Sequence, residues 1–110
     1  MNKDTEQQIK QLQIFEQNLQ GYLSQKQQLQ TQIIEITSAL NEIKNKDEGY
    51  KIIGNIMIKK TSEELTKDLE NKKELINLKM KSLEKQENII KEKSKKIQEE
   101  IMQNMGNKNE

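Results

Sequence analysis

The sequence predicts a mainly α chain: two long helices fold into an antiparallel two-helix coiled coil, joined by a short β-hairpin that draws several chains into one assembly. Apolar residues recur at alternating spacings of three and four along both flanks of the chain. Its middle holds the one dense run of β-branched residues, set around a Gly-Asn pair, and no proline interrupts either flank.

The first helix is read over 5–44. Leu12, Leu19, Lys26, Ile33 and Leu40 repeat every seven residues, and the positions three further on are Phe15, Tyr22, Leu29, Ile36 and Ile43. Nine of these ten are apolar, a seam whose period of about 3.5 residues favours a left-handed supercoil. The remaining positions are rich in Gln, a good helix former that carries no charge. Gly21 is the weak point, costing up to about 1 kcal/mol in a helix interior.

The cluster NKDEG at 45–49 ends that pattern with turn-forming residues. A β-hairpin is read over 50–60: Tyr50, Ile52 and Ile53 lead into Gly54-Asn55, and Ile56, Met57 and Ile58 lead away. Gly-Asn suits a two-residue loop that needs positive φ. A helical turn in its place would put that pair in mid-helix, where both residues are disfavoured.

The second helix is read over 62–105. Thr61 and Glu64 have the spacing of a capping box, in which the hydroxyl and the carboxylate each satisfy a backbone N–H at the helix start. Its seam is Leu69, Lys73, Ile76, Met80, Leu83, Glu87, Ile90, Ser94, Ile97 and Ile101, seven of ten apolar. Glu63/Lys67, Glu87/Lys91 and Glu92/Lys96 are placed for ion pairs along the helix surface. Residues 106–110 are read as a frayed tail.

Two seams of matching length fold back on each other. Centring the turn at Ile52–Ile53 brings Leu29 to Ile76, Leu19 to Glu87 and Phe15 to Ile90, in an arm roughly 60 Å long. An isolated two-stranded hairpin with apolar residues on both faces is marginal in water, so the hairpins of several chains are expected to share one β structure. Leu65, Leu75 and Leu78, off the seam, are expected beneath it.

Composition closes off other classes. Only 31% of the chain is hydrophobic and 34% is charged, with 19 basic and 18 acidic residues nearly cancelling. The chain contains no Cys and no His, hence no thiol nucleophile, no imidazole base and no common zinc site, which argues against an enzyme and against a metal or other cofactor. All its basic residues are Lys, so the bidentate Arg fork is missing. The run KEKSKK at 91–96 contains Glu92 and lacks a stacking aromatic, so it reads as a solvated face and nucleic acid is not expected as a partner. No apolar run is long enough for a membrane span and the N-terminus is polar, so the expected setting is cytoplasmic, without a membrane partner.

Helix, hairpin and helix with both chain ends at one tip resembles prefoldin, and a single hairpin resembles its archaeal-type beta class. The string YKIIGNIMIKKT is similar to the family's hairpin signature through Tyr50-Lys51, Gly54 and Lys59, and LEKQENIIKEK at 83–93 resembles its LxxQE-type helix. The resemblance implies a single prefoldin-like domain over 1–110 whose hairpin, Tyr50, Ile52, Ile53, Gly54, Asn55, Ile56, Met57 and Ile58, oligomerises into a β-barrel platform. It implies a hexamer of two prefoldin alpha subunits and four beta subunits. It further implies an ATP-independent holdase that captures unfolded client proteins at the coiled-coil tips and transfers them to a group II chaperonin. No glycine-rich phosphate loop occurs in the chain.

Candidate client-binding residues follow from the ends of the helices. Ile9, Ile14, Met102 and Met105 lie off the seam, and fraying there would add Leu12, Phe15, Ile97 and Ile101. Glu87 and Ser94 weaken the distal seam, and flexible Met side chains suit varied apolar partners. The alternative function is a structural or tethering coiled-coil scaffold without client binding, which offers no reason for the hairpin.

Overall fold

The computed structural model describes residues 3–108. Helix α1 (Lys3–Ile43) leads into strands β1 (Glu48–Ile53) and β2 (Ile56–Thr61), and helix α2 (Ser62–Lys108) follows. Asp4 and Glu6 in the first turn of α1, and Glu63 and Glu64 in that of α2, place negative charge beside the exposed N–H groups of each helix start. The segment 106–108, expected as part of a frayed tail, continues α2; Asn109 and Glu110 lie outside the described residues.

Local chemistry fixes the joints. The Thr61 hydroxyl accepts a hydrogen bond from the Glu64 N–H at 3.2 Å, the hydroxyl half of the capping box. The Glu64 carboxylate lies 3.7 Å from Lys60 Nζ. At the far side of the joint, the Ser62 hydroxyl donates to the Ile43 carbonyl at 3.2 Å and the Ser62 N–H donates to the Asp47 carbonyl at 2.9 Å. Otherwise orphaned groups at the end of α1 and the start of α2 are thereby satisfied.

The chain divides into two compact units, Met1–Lys26 with Lys81–Glu110, and Gln27–Met80, each drawing on both helices. A two-helix seam encloses no common core, so each layer contacts only its neighbours, much as in repeat proteins.

Every seam position read from the sequence is buried or half-buried, and Thr5, Gln8, Ile9, Thr37, Ser62, Leu65 and Thr66 join them. Phe15 and Leu83 are buried in the first unit, and Ile36, Leu65 and Ile76 in the second. Leu65, read as off the seam and beneath the hairpin, lies against Gly49 of the hairpin and, standing four residues before Leu69, also extends the seam by one turn; Leu75 and Leu78 are exposed in the single chain.

In the first unit the helices run antiparallel. Gln8 Nε2 donates to Glu100 Oε2 at 2.9 Å, and Lys26 Nζ donates to Glu87 Oε1 at 2.6 Å. The expected register set Leu19 against Glu87; Lys26, seven residues further on, takes that place. Within the hairpin, Ile53 pairs with Ile56 and the turn is centred on Gly54-Asn55, two residues beyond the centre assumed from the sequence. A later centre displaces antiparallel partners in the direction observed.

Charged residues on the helix surfaces behave less regularly than their spacing suggests. The ion pairs among the described residues are Lys26–Glu87, Glu42–Lys46, Lys51–Asp68, Glu48–Lys59 and Lys60–Glu64. Glu63/Lys67, Glu87/Lys91 and Glu92/Lys96 are not among them. Solvated pairs gain little over water, and Glu87 is turned into the seam.

Candidate functional site

Two groups of exposed apolar side chains are candidate interaction surfaces. The first is the hairpin, where Ile53-Gly54-Asn55-Ile56 makes a two-residue turn in which Gly54 alone takes positive φ, at 60°. Glycine at the first central position is the requirement of a type II′ turn, whose twist matches that of the flanking strands.

The register places Glu48, Tyr50, Ile52, Met57, Lys59 and Thr61 on one face of the hairpin. Gly49, Lys51, Ile53, Ile56, Ile58 and Lys60 lie on the other. Glu48 and Lys59 pair at 3.0 Å at the base of the first face, while Ile52 and Met57, directly opposed nearer the turn, are 69% and 63% exposed. Tyr50, Ile53, Ile56 and Ile58 are exposed as well. So many exposed apolar side chains, on both faces of two six-residue strands, make the hairpin an apolar surface of the kind that marks an interaction site.

The second face rests on the helices. Gly49 lies against Leu65 and Ile43, and Lys51 Nζ reaches Asp68 Oδ2 at 3.1 Å. Beside this seat is a groove of about 420 Å³ whose apolar lining comes from Ala39, Ile43, Tyr50, Ile52, Leu65 and Leu69. Gly49 and Asp68 were not singled out by sequence reasoning. Sequence reading placed Gly49 in the NKDEG turn cluster, one residue before the hairpin, so its place inside β1 gave no signal there.

The second surface lies toward the chain ends, in the first unit. Ile14, Met102 and Met105 are exposed; Ile9, Leu12, Ile97 and Ile101 are half-buried. Phe15, a seam residue, is 8% exposed and belongs to the core in the unfrayed helix.

Glu87 also differs from its expected part. In place of an open polar gap in the seam, its carboxylate receives Lys26, and its residue is 7% exposed. The hydrogen bond to Glu87 holds the Lys26 ammonium above the ordinary lysine range; burial works against this, and the charges of Glu87 and Glu84 add to it. Among the described residues no cluster could hold a metal ion, and no helix is long and apolar enough to cross a membrane.

This arrangement of two long helices about one hairpin matches the Prefoldin subunit family, whose model covers residues 6–108. The chain belongs to the prefoldin subunit family. It is 32% identical over 96 residues to the prefoldin subunit beta of Archaeoglobus fulgidus, covering 84% of this chain and 83% of that one. To the prefoldin subunit beta of Thermococcus onnurineus it is 33% identical over 94 residues, covering 83% and 81%. The crystal structure of the prefoldin beta subunit from Thermococcus strain KS-1 superposes with a TM-score of 0.87 at 29% identity, covering 94% of this chain and 93% of that one. Prefoldin family membership brings with it a chaperone role and assembly with other prefoldin subunits.

Proposed function

We propose that this chain is a beta-class subunit of an ATP-independent holdase. It associates through its hairpin with alpha-class and further beta-class subunits, two alpha and four beta in all, and works in the cytoplasm. Unfolded proteins are held near the chain ends, by Ile14, Met102 and Met105 first, and are passed to a group II chaperonin.

The observation that carries the reading is the family match over nearly the whole chain, and the exposed hairpin supports its assembly step. Six exposed apolar side chains on one hairpin are unfavourable in an isolated chain, and covering each contributes a part, set by its exposure, of the ~1.5–3 kcal/mol of full burial. No enzymatic step is part of the proposal.

The test is suppression of aggregation of a chemically denatured protein by the chain co-assembled with an alpha-class prefoldin subunit, with no nucleotide present. Suppression at stoichiometric complex is expected, with release on addition of a group II chaperonin. Unchanged aggregation overturns the holdase reading and leaves a tethering scaffold. Suppression without release overturns the transfer step alone.

A further inference from the structure

We infer that Gly49 is a positioning residue: its bare Cα seats the hairpin on the helix pair, with Lys51–Asp68 as a second support, and so sets the angle at which the hairpin meets its neighbours. The inference rests on the proposed assembly through the hairpin.

Glycine inside a strand weakens it and is retained where something approaches closely. Gly49 is the second residue of β1, and Gly54 is the only described glycine with positive φ, so the backbone at Gly49 is open to any residue. Contact is what crowds a side chain there, and the crowding atoms are the ends of two side chains, Leu65 and Ile43. A Cβ at this position would lie 2.8 Å from Leu65 Cδ1 and 3.0 Å from Ile43 Cδ1, closer than carbon atoms pack. Leu65 is 8% exposed, so its methyl group has little room to retreat.

Residues 49 and 51 share one face of the hairpin, and this face is what the helices support. The first support is steric, at the end of α1 and the start of α2. The second is the Lys51–Asp68 pair, half-exposed and correspondingly weak. Two supports only two residues apart pass any wedge at Gly49 on to the outer half of the strand, where Ile52 and Ile53 are exposed. A tilt there leaves the chain folded while misaligning the edges on which strand pairing between subunits depends.

The experiment compares native mass and far-UV circular dichroism of the full chain, co-expressed with an alpha-class prefoldin subunit. The variants are Gly49→Ala, Leu65→Val, Gly49→Ala/Leu65→Val, and Ile52→Asp/Met57→Asp. Gly49→Ala is expected to lower the assembled fraction about tenfold at unchanged helix content. Leu65→Val, which makes room beside residue 49, should restore at least half of it in the double variant while assembling normally by itself.

Normal assembly of Gly49→Ala alongside failure of Ile52→Asp/Met57→Asp overturns the seat and leaves the hairpin reading standing. Loss of helix content in Gly49→Ala, or absence of rescue by Leu65→Val, also overturns the seat. Normal assembly of Ile52→Asp/Met57→Asp overturns the hairpin reading and this inference with it.

Discussion

Lys26, the charged position of the first seam, and Glu87, the acidic position of the second, meet at 2.6 Å. Glu87 would be costly there alone, since a buried charge without a partner loses its hydration and gains nothing in return, and the half-buried Lys26 supplies that partner. Together they form a polar layer that other registers would break. An antiparallel seam of Leu and Ile slides by a heptad with little change in burial, so a matched pair of charges is an effective discriminator.

The pair carries a pH dependence of definite sign. Because Lys26 is held above its ordinary value of 10.5, its contribution to stability is complete below that pH and is lost as pH climbs through the raised value. The stability of the wild-type chain is therefore expected to fall more steeply above pH 10.5 than that of Lys26→Met/Glu87→Leu, which lacks the pair. Urea denaturation midpoints of both chains across the alkaline range check this. Parallel profiles would remove the pair from the account.

Neighbouring residues on α2 should respond very differently to the same change. Ile76 is 4% exposed and Leu75 is 61% exposed, one on the seam and the other on the solvated side of the helix. Ile76→Ala is expected to cost about 2–5 kcal/mol through lost burial and the cavity left behind. Leu75→Ala should fall within about 0.5 kcal/mol of wild type, since it removes no packed contact. Chemical denaturation of the two variants distinguishes them.

The contrast shows why so much of the fold was legible. Seam membership is stated redundantly: Phe15, Ile36, Ile76 and Leu83 each sit three or four residues from another apolar position, so no single residue decides the pattern. Register is not redundant. It depends on the turn centre at Gly54-Asn55 and on Lys26 finding Glu87, and the clue, opposite charges at the exceptions of two seams, lies in residues far apart in sequence. Gly49 was hidden for a related reason. In NKDEG it has the look of a chain-breaking residue, and its role depends on Leu65 and Ile43 arriving from either side. Phe15 was legible as a seam residue, and its burial follows the helix face on which it stands.

The cap at Thr61 should be separable from its place in the strand. Its hydroxyl accepts the Glu64 N–H at 3.2 Å, while its backbone pairs with Glu48 at the base of the hairpin. Thr61→Ala removes only the first of these and is expected to cost about 0.5–2 kcal/mol. Thr61→Ser keeps an acceptor and should recover most of that loss. Thermal melts of the three chains check the order, and equal melting of Ala and Ser variants would place the cost elsewhere than in the cap.

Two glycines should give opposite signs for one substitution. A Cβ added at Gly21 or at Gly54 meets nothing within 4 Å, so space does not separate them. Backbone conformation does. Gly21 lies inside α1 with an ordinary helical backbone, where Ala orders the folded chain more cheaply and is expected to stabilise by about 0.5–1 kcal/mol. Gly54 holds φ at 60°, where an L side chain crowds the following carbonyl and Ala is expected to cost roughly 1–2 kcal/mol. The Gly21 variant should therefore melt a few degrees above wild type and the Gly54 variant below it. The Gly54 loss should be concentrated in the hairpin, where amide exchange of Ile53 and Ile56 accelerates while that of Ile36 and Ile76 stays slow. Uniform acceleration across both helices would mean that the turn is coupled to the whole seam and is no local hinge.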